Sequence, residues 1–441
     1  MIRILQNCLL KHNPLESLKS MSTTLEIKKP RYNGKTKKRR WEERRSDKGE
    51  GLYSEKKTKT DEPFVRIKRR KYAMLLGYSG ADYFGMQRNP FSKTIEEDLC
   101  KALLKAELIT DEAYNQMQTI QFQRAARTDK GVSAARQVVS LKLPETVDLD
   151  KVNSFLPETI RVFAAKRVTK GFNSKAQCSA RTYMYMLPSV ALSNSTIPLN
   201  QEGYHLSDER HSAVNALLKQ FEGTHNYHSY TNKKKANDPS AKRYIMSFYC
   251  EKPFTREGME FVVLKVKGQS FMLHQIRKMV GITVAVLRGY VTQEILDKSF
   301  TIEKVNIPRA PGLGLVLEEV HYDRYNSRYG TDGIHETLDW KECENEINEF
   351  KEKYIFPIII NTEVKEHSFV NWMEGRLMNH DFNKVEEENS LKPEDNAEDE
   401  EEQSSDDECE NVAEQNDKEQ EEKIKEENIS QCHSDKYEAK I

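Results

Sequence analysis

No two of the seven cysteines, at positions 8, 100, 178, 250, 343, 409 and 432, form a C-x-x-C pair. That absence argues against a zinc ribbon or a disulfide framework and points to a reducing compartment. No apolar run reaches the roughly 18–20 residues that a membrane-spanning helix needs. No short repeat recurs along the chain. Net charge is also nearly missing, at −1 over 441 residues. That balance hides two opposed arms. Residues 1–71 carry 22 Lys/Arg against 9 Asp/Glu, residues 384–441 carry 7 against 23, and the stretch between has 40 against 38. Blocks of like charge with few apolar residues cannot bury enough surface to fold, so both arms are expected to be disordered. A basic arm suits nucleic acid or an import receptor. The acidic tail reads as a solvated, solubilising segment.

The arm holds two candidate addresses. Met1–Ser20 sets Arg3, Lys11 and Lys19 around an Ile/Leu cluster, as a mitochondrial presequence does; Pro14 and Glu16 count against it, and Met21 offers a second start that omits it. Lys35–Arg40 (KTKKRR) reads as a nuclear import cluster, or as an RNA-contacting arm. The expected location is the nucleus, with the mitochondrion as a second address.

Between the arms, strands and helices alternate in two sets of similar size. Tyr72–Tyr78 is a short apolar strand. Thr94 and Glu97 have capping-box spacing, and Ile95, Leu99 and Leu103 share one face of the helix that follows. Ala135–Leu143 alternates as a half-buried strand does, and Arg161–Val168 and Thr182–Leu187 are further strands. In the second set, Ala213, Leu217, Leu218 and Phe221 give a helical face, Tyr244–Cys250 and Glu260–Lys267 two strands, Phe271–Gly289 a long helix with Ile276, Val280, Val284 and Leu287 on one side, and Gly314–His321 a closing strand. The expected fold is α+β: two similar lobes with antiparallel sheets flanked by helices around a central cleft. The expected divisions are a basic arm over 1–70, lobes over 71–200 and 201–330, an extension over 331–382 and an acidic tail over 383–441. In the extension, Trp340–Phe350 reads as an amphipathic helix and Phe356–Ile360 as a buried strand or turn, and the whole is expected to rest on the second lobe.

Arg127-Thr128-Asp129-Lys130-Gly131-Val132-Ser133-Ala134 puts one carboxylate between an arginine and a glycine-containing turn, just ahead of a strand. Alone it reads equally well as an ordinary turn. Four other segments decide the matter: Tyr78-Ser79-Gly80-Ala81-Asp82-Tyr83-Phe84-Gly85-Met86-Gln87; Gly171–Lys175 with Cys178–Tyr185; Phe221–Tyr230; and Ser270–Gly281 (SFMLHQIRKMVG). With the first, they resemble, in order, the motifs of TruA-type tRNA pseudouridine synthases, and most closely the eukaryotic nuclear and mitochondrial branch. Lys175 stands where bacterial members often have Arg.

The resemblance implies a fold, a reaction and a site. The fold is the pseudouridine synthase fold. The reaction detaches uracil from ribose C1′, turns it and rejoins it through C5, so no cofactor is implied. Asp129 takes the role of nucleophile. Addition to uracil C6, interaction at C1′ and a glycal route that removes a proton from C2′ all stay open. Arg277 becomes the counter-charge that keeps a buried carboxylate ionised. Tyr183 stacks on the target base or takes part in proton transfer, while Tyr185 is a core tyrosine. Arg127 fills the space a flipped nucleotide leaves.

RNA contacts are expected from Lys175, Arg181, Lys233, Lys234, Lys235, Lys242 and Arg243, giving salt-dependent affinity without sequence information. His225 and His228 lack acidic or thiol neighbours at ligand spacing, so no metal site is expected. The partner is tRNA, with uridines in and near the anticodon stem, and with small nuclear and messenger RNA as secondary substrates. The expected working form is a monomer. A tRNA-folding chaperone of the same fold is the non-enzymatic alternative; the sister branch that modifies the 3′ side of the anticodon loop is the enzymatic one.

Overall fold

A computed structural model describes residues 68–384 apart from Pro90, Glu202 and Lys233. The presequence, import-cluster and acidic-tail readings fall outside the described residues. Among the described residues, ten strands make one sheet: β1 (Arg69–Tyr78), β2 (Gln123–Arg124), β3 (Ser133–Pro144), β4 (Ile160–Arg167), β5 (Ala180–Pro188), β6 (Gly223–Asn226), β7 (Lys242–Cys250), β8 (Phe254–Arg256), β9 (Met259–Gly268) and β10 (Leu315–His321). Their order is β4-β1-β3-β10-β5-β9-β7-β6, with β2 on β3 and β8 on β9. The pairing of β10 with β3 is parallel, with Val316 opposite Ser133 and Leu317 opposite Ala134. The other pairings are antiparallel. β4, β1 and β3 of the first set therefore lie at one end of the sheet and β9, β7 and β6 of the second at the other, and the two sets cross in the middle: β10 of the second set lies beside β3, and β5 of the first lies between β10 and β9.

Strand β3 differs from its expected half-buried character. Ser133 through Leu141 are buried without interruption. A polar side chain here marks a buried partner rather than solvent. The Gln137 amide brackets Ala126, donating to its carbonyl at 2.8 Å and accepting from its N–H at 3.2 Å. Arg136 reaches both carboxylate oxygens of Glu344 at 2.8 Å.

Helix α1 (Ile95–Lys105) begins where its cap predicts. The Thr94 hydroxyl accepts from the Glu97 N–H at 3.4 Å, and Ile95, Leu99 and Leu103 are buried. In α2 (Asp208–Leu218) the buried face is Val214, Leu217 and Leu218, continued by Phe221; Ala213 is exposed. Helix α3 (Gln275–Arg288) buries Ile276, Val280, Val284 and Leu287 and stops at Gly289, whose φ of 74° favours a residue without Cβ. It starts four residues later than expected, because His274 at its N-cap adopts a left-handed φ of 62°.

The extension does not rest on the second set alone. It crosses the sheet face bearing Met184, Met186 and Val316, opposite the face of Tyr183, Tyr185 and Leu317. Helix α4 (Glu344–Phe350) is fixed by Arg136 to Glu344, by Lys351 to Glu318 at 2.6 Å, and by the Phe350 ring edge on Phe163. Lys166 of β4 meets Glu342 at 2.7 Å. Phe356–Ile360 is neither strand nor turn. It opens α5 (Phe356–Glu366), after a π-helical turn over Lys351–Ile355. Pro357 has no N–H to give, so it is tolerated only in a first turn, and the wide turn before it makes room. Short apolar runs do not distinguish strand from buried helix by periodicity.

Candidate active site

Asp129 sits in the loop between β2 and β3, and the Tyr78–Gln87 segment cradles that loop. Tyr78 and Thr128 share a hydrogen bond between hydroxyls at 2.8 Å. The Gly131 N–H donates to the Tyr83 carbonyl at 3.2 Å, and the Met86 N–H to the Thr128 carbonyl at 3.0 Å. Two glycines allow the approach. A Cβ on Gly80 would lie 2.2 Å from the Val132 carbonyl oxygen, and one on Gly85 would lie 2.8 Å from that of Thr128, at a φ of 94°. From the far side, Arg181 of β5 donates to the Ala125 carbonyl at 2.6 Å and to that of Gln269 at 3.3 Å.

Held this way, the Asp129 side chain keeps 21% of its surface exposed, with its Oδ2 4.0 Å from Arg277 Nη1 and 3.9 Å from His274 Nε2. Arg277 comes from the first turn of α3. Its Nε donates to the Ala310 carbonyl at 2.7 Å, and the Ala310 N–H returns a bond to the Arg277 carbonyl at 3.2 Å. The structure thus brings Arg277 and Asp129 together, 148 residues apart in the chain. Arg127 is half-buried on the same loop.

Tyr183 and Tyr185 separate clearly. Both are buried on one face of β5, and burial raises both phenols well above the usual range. The Tyr185 hydroxyl is spent on the Pro311 carbonyl at 2.6 Å. Tyr183 makes no hydrogen bond among the described residues; its ring meets Phe271 edge-on at 5.3 Å, and the Asp129 charge raises its phenol further. The Tyr183 phenol is therefore protonated and close enough to Asp129 to feel its charge.

Two residues escaped sequence reasoning. His274 lies inside the SFMLHQIRKMVG segment but drew no attention beside Arg277. Arg309 belongs to Pro308–Gly314 (PRAPGLG), a stretch with no chemical signature of its own. Arg309 donates to the His274 ring, 2.9 Å from Nε2 and 3.2 Å from Nδ1. Burial first, then the charges of Arg309, Arg277 and Lys278, pull the His274 imidazole down to about 2. It is therefore neutral, and its contact with Asp129 is not an ion pair.

Of the expected RNA-contacting residues, Arg181 flanks this centre through its bonds to the Ala125 and Gln269 carbonyls. Lys175, Lys235 and Lys242 are exposed; Lys234 pairs with Asp238 at 3.4 Å, and Arg243 is half-buried. Lys233 lies outside the described residues. His225 donates to the Glu222 carbonyl at 2.8 Å and lies tilted against the Phe300 ring, centroids 4.5 Å apart, while His228 is buried.

Residues 217–323 match a family described as tRNA pseudouridine synthase, a class of isomerases. Over longer stretches the chain is similar to "Pseudouridylate synthase 1 homolog" of Mus musculus, 52% identical over 326 residues that cover 73% of this chain and 77% of that protein. It is likewise 52% identical to the Homo sapiens protein of the same name over 313 residues, 70% of this chain and 73% of that one. "tRNA pseudouridine synthase 1" of Yarrowia lipolytica is 32% identical over 437 residues, covering 77% and 82%. The chain belongs to the tRNA pseudouridine synthase family.

Proposed function

We propose that the chain isomerises uridine to pseudouridine in tRNA with Asp129 as the nucleophile, at uridines in and near the anticodon stem, and that small nuclear and messenger RNA are further substrates. The two ends of the sheet act as lobes on either side of a cleft that takes the RNA stem. The enzyme works as a monomer, in the nucleus and in the mitochondrion.

The observation that carries this reading is the meeting of Asp129 with Arg277, from opposite halves of the chain, beside the uncommitted phenol of Tyr183. In the reaction the N1–C1′ bond breaks, uracil turns, the C5–C1′ bond forms, and the proton on C5 leaves as N1 gains one. A carboxylate next to a fixed guanidinium is favoured in its charged form, as attack or electrostatic support at the sugar requires. Tyr183 is protonated throughout the ordinary pH range, so it acts first as a hydrogen-bond donor and stacking surface, and takes a proton only after giving one up. Arg127, on the same loop, holds the flipped nucleotide.

The test maps pseudouridine by nucleotide on unmodified tRNA transcripts, comparing wild type with Asp129→Ala. Small nuclear and messenger RNA fragments are run in parallel. Product in wild type alone, with RNA binding retained by the variant to within a few-fold, is expected. Turnover at the wild-type rate in Asp129→Ala removes the nucleophile assignment. Tight tRNA binding with no product in either protein favours a folding chaperone.

A further inference from the structure

We propose that Phe84 and Lys130 form a nucleotide subsite on the rim of the catalytic loop: the Phe84 ring stacks on the base next to the target uridine, and Lys130 neutralises a phosphate beside it. The inference rests on Asp129 being the catalytic carboxylate, because that fixes where the target lies.

Phe84 keeps 53% of its surface exposed, although Tyr83, Gly85 and Met86 around it are buried. One exposed phenylalanine is ordinary on a protein surface, so its position and its company decide the matter. Its position is fixed by backbone. The Phe84 N–H donates to the Lys93 carbonyl at 2.9 Å, and the Tyr83 carbonyl accepts from the Gly131 N–H at 3.2 Å. On the other side, a Cβ on Gly85 would lie 2.8 Å from the Thr128 carbonyl oxygen and 3.5 Å from the Asp129 carbonyl carbon. Residues 83 and 85 thus grip the catalytic loop on both sides of Asp129, and Phe84 stands between them. A ring held on such a backbone loses little freedom when a base arrives.

Its company is cationic. The Lys130 ammonium, one residue past Asp129, stands over the Phe84 ring at 4.9 Å and covers one of its faces. No other aromatic ring meets Phe84 among the described residues, so the second face is open to a base. Lys93 lies over the neighbouring Tyr83 ring at 4.4 Å. Lys93 and Lys130 are both exposed and make no ion pair among the described residues. Asp82 is exposed nearby and joins neither, while the Asp98 carboxylate is taken by the Tyr83 hydroxyl at 2.9 Å. An open ring with unpaired ammonium groups beside it matches a nucleotide: a π face for the base and positive charge for the phosphate. The target base itself must reach Asp129 and the buried Tyr183, which leaves the more open Phe84 ring to its neighbour. Flipping a uridine breaks its stacking on the adjacent bases, and Phe84 replaces one of those contacts.

The experiment uses the full chain and an unmodified tRNA, intact or with an abasic residue directly 5′ or directly 3′ of the uridine that the mapping identifies. Affinity and single-turnover rate at saturating enzyme are measured for wild type, Phe84→Ala, Phe84→Trp, Lys130→Gln and Asp129→Ala. Phe84→Ala is expected to weaken binding of intact tRNA ~5- to 150-fold, the range for one base–aromatic stack, with an unchanged melt. That penalty should vanish on one of the two abasic tRNAs, where there is no base to stack. Phe84→Trp should restore binding of intact tRNA to within a few-fold of wild type. Lys130→Gln should reduce the slope of log affinity against log salt by about one. The proposal is overturned if Phe84→Ala binds intact tRNA as wild type does, if its penalty persists on both abasic tRNAs, or if Trp rescues no better than Ala. A wild-type salt slope in Lys130→Gln overturns the phosphate contact. The affinity readings need no turnover and are repeated in Asp129→Ala. Wild-type turnover in Asp129→Ala would break the nucleophile reading and leave those affinities standing, so the two failures are distinct.

Discussion

Gly80→Ala is the sharpest perturbation the cradle offers. Gly80 carries no positive φ, so alanine is allowed by its backbone, and the added methyl acts only through what it meets. It would lie 2.2 Å from the Val132 carbonyl oxygen, 2.5 Å from that carbonyl carbon and 3.0 Å from the Val132 nitrogen, all backbone atoms. No rotamer can relieve that. Ordinary van der Waals contact needs a displacement of about 1 Å between the Gly80 loop and Val132. Val132 is hydrogen-bonded to the Asp129 carbonyl at 3.1 Å, so the loop that carries the carboxylate moves with it. Overpacking of this kind costs about 1–3 kcal/mol of stability, while a misplacement near 1 Å costs ~100-fold in rate. The two readouts therefore separate. Single-turnover pseudouridine formation on a tRNA transcript should fall by roughly two orders of magnitude, and filter-binding affinity should change little. Gly375→Ala, with nothing within 4 Å of its added methyl, is the control and should match wild type. A Gly80→Ala protein that folds, melts a few degrees early and still turns over at the wild-type rate would refute the claim that the cradle sets the carboxylate's position.

Other expectations follow from the same geometry. Arg277→Leu removes both the cation beside Asp129 and the bond to Ala310; it should abolish detectable turnover and lower stability by ~1–3 kcal/mol, read by tRNA assay and urea melt. Tyr183→Phe breaks no hydrogen bond among the described residues and should leave the melt within about 0.5 kcal/mol while slowing the reaction, whereas Tyr185→Phe strands the Pro311 carbonyl and should cost ~1–3 kcal/mol of stability. Stability should also depend on pH through His274. Its pKa falls from 6.5 to about 2 on folding, so below pH 6.5 the unfolded chain binds the extra proton and stability drops as pH falls. Between pH 6.5 and 5 that one group removes up to about 2 kcal/mol, a slope that His274→Gln should flatten in denaturant titrations.

The local elements were legible where one physical signal dominated. The Thr94 cap, the α3 face and most strand spans follow from capping chemistry and periodicity. What misled was partnership across long range. The polar positions of β3 look like a solvated face until Glu344, more than 200 residues on, is seen to cover Arg136. Phe356–Ile360 has the composition of a strand, yet α4 and the π-turn before Pro357 carry it on as helix. At the site, Asp129, Arg277 and Tyr183 stand in recognisable motifs. His274 and Arg309 do not declare themselves, because a histidine's role depends on which charges surround it, and those come from three separate segments.

The contact between Asp129 and Arg277 is 4.0 Å, at the outer limit of an ion pair. What holds them is backbone. The reciprocal bonds between Arg277 and Ala310 tie α3 to the 308–314 segment, and the Gly312 position brings that segment against Lys130 and the Arg277 guanidinium. Directly after it, β10 enters the sheet parallel to β3 at Val316 and Ser133. Sheet register and main-chain hydrogen bonds thus deliver the guanidinium to the carboxylate. A charge pair placed by the scaffold need not reorganise when the carboxylate engages the nucleotide, so Arg277 stays to stabilise whatever charge develops there. This is why a distant register, rather than the ion pair itself, is the structural foundation of the site.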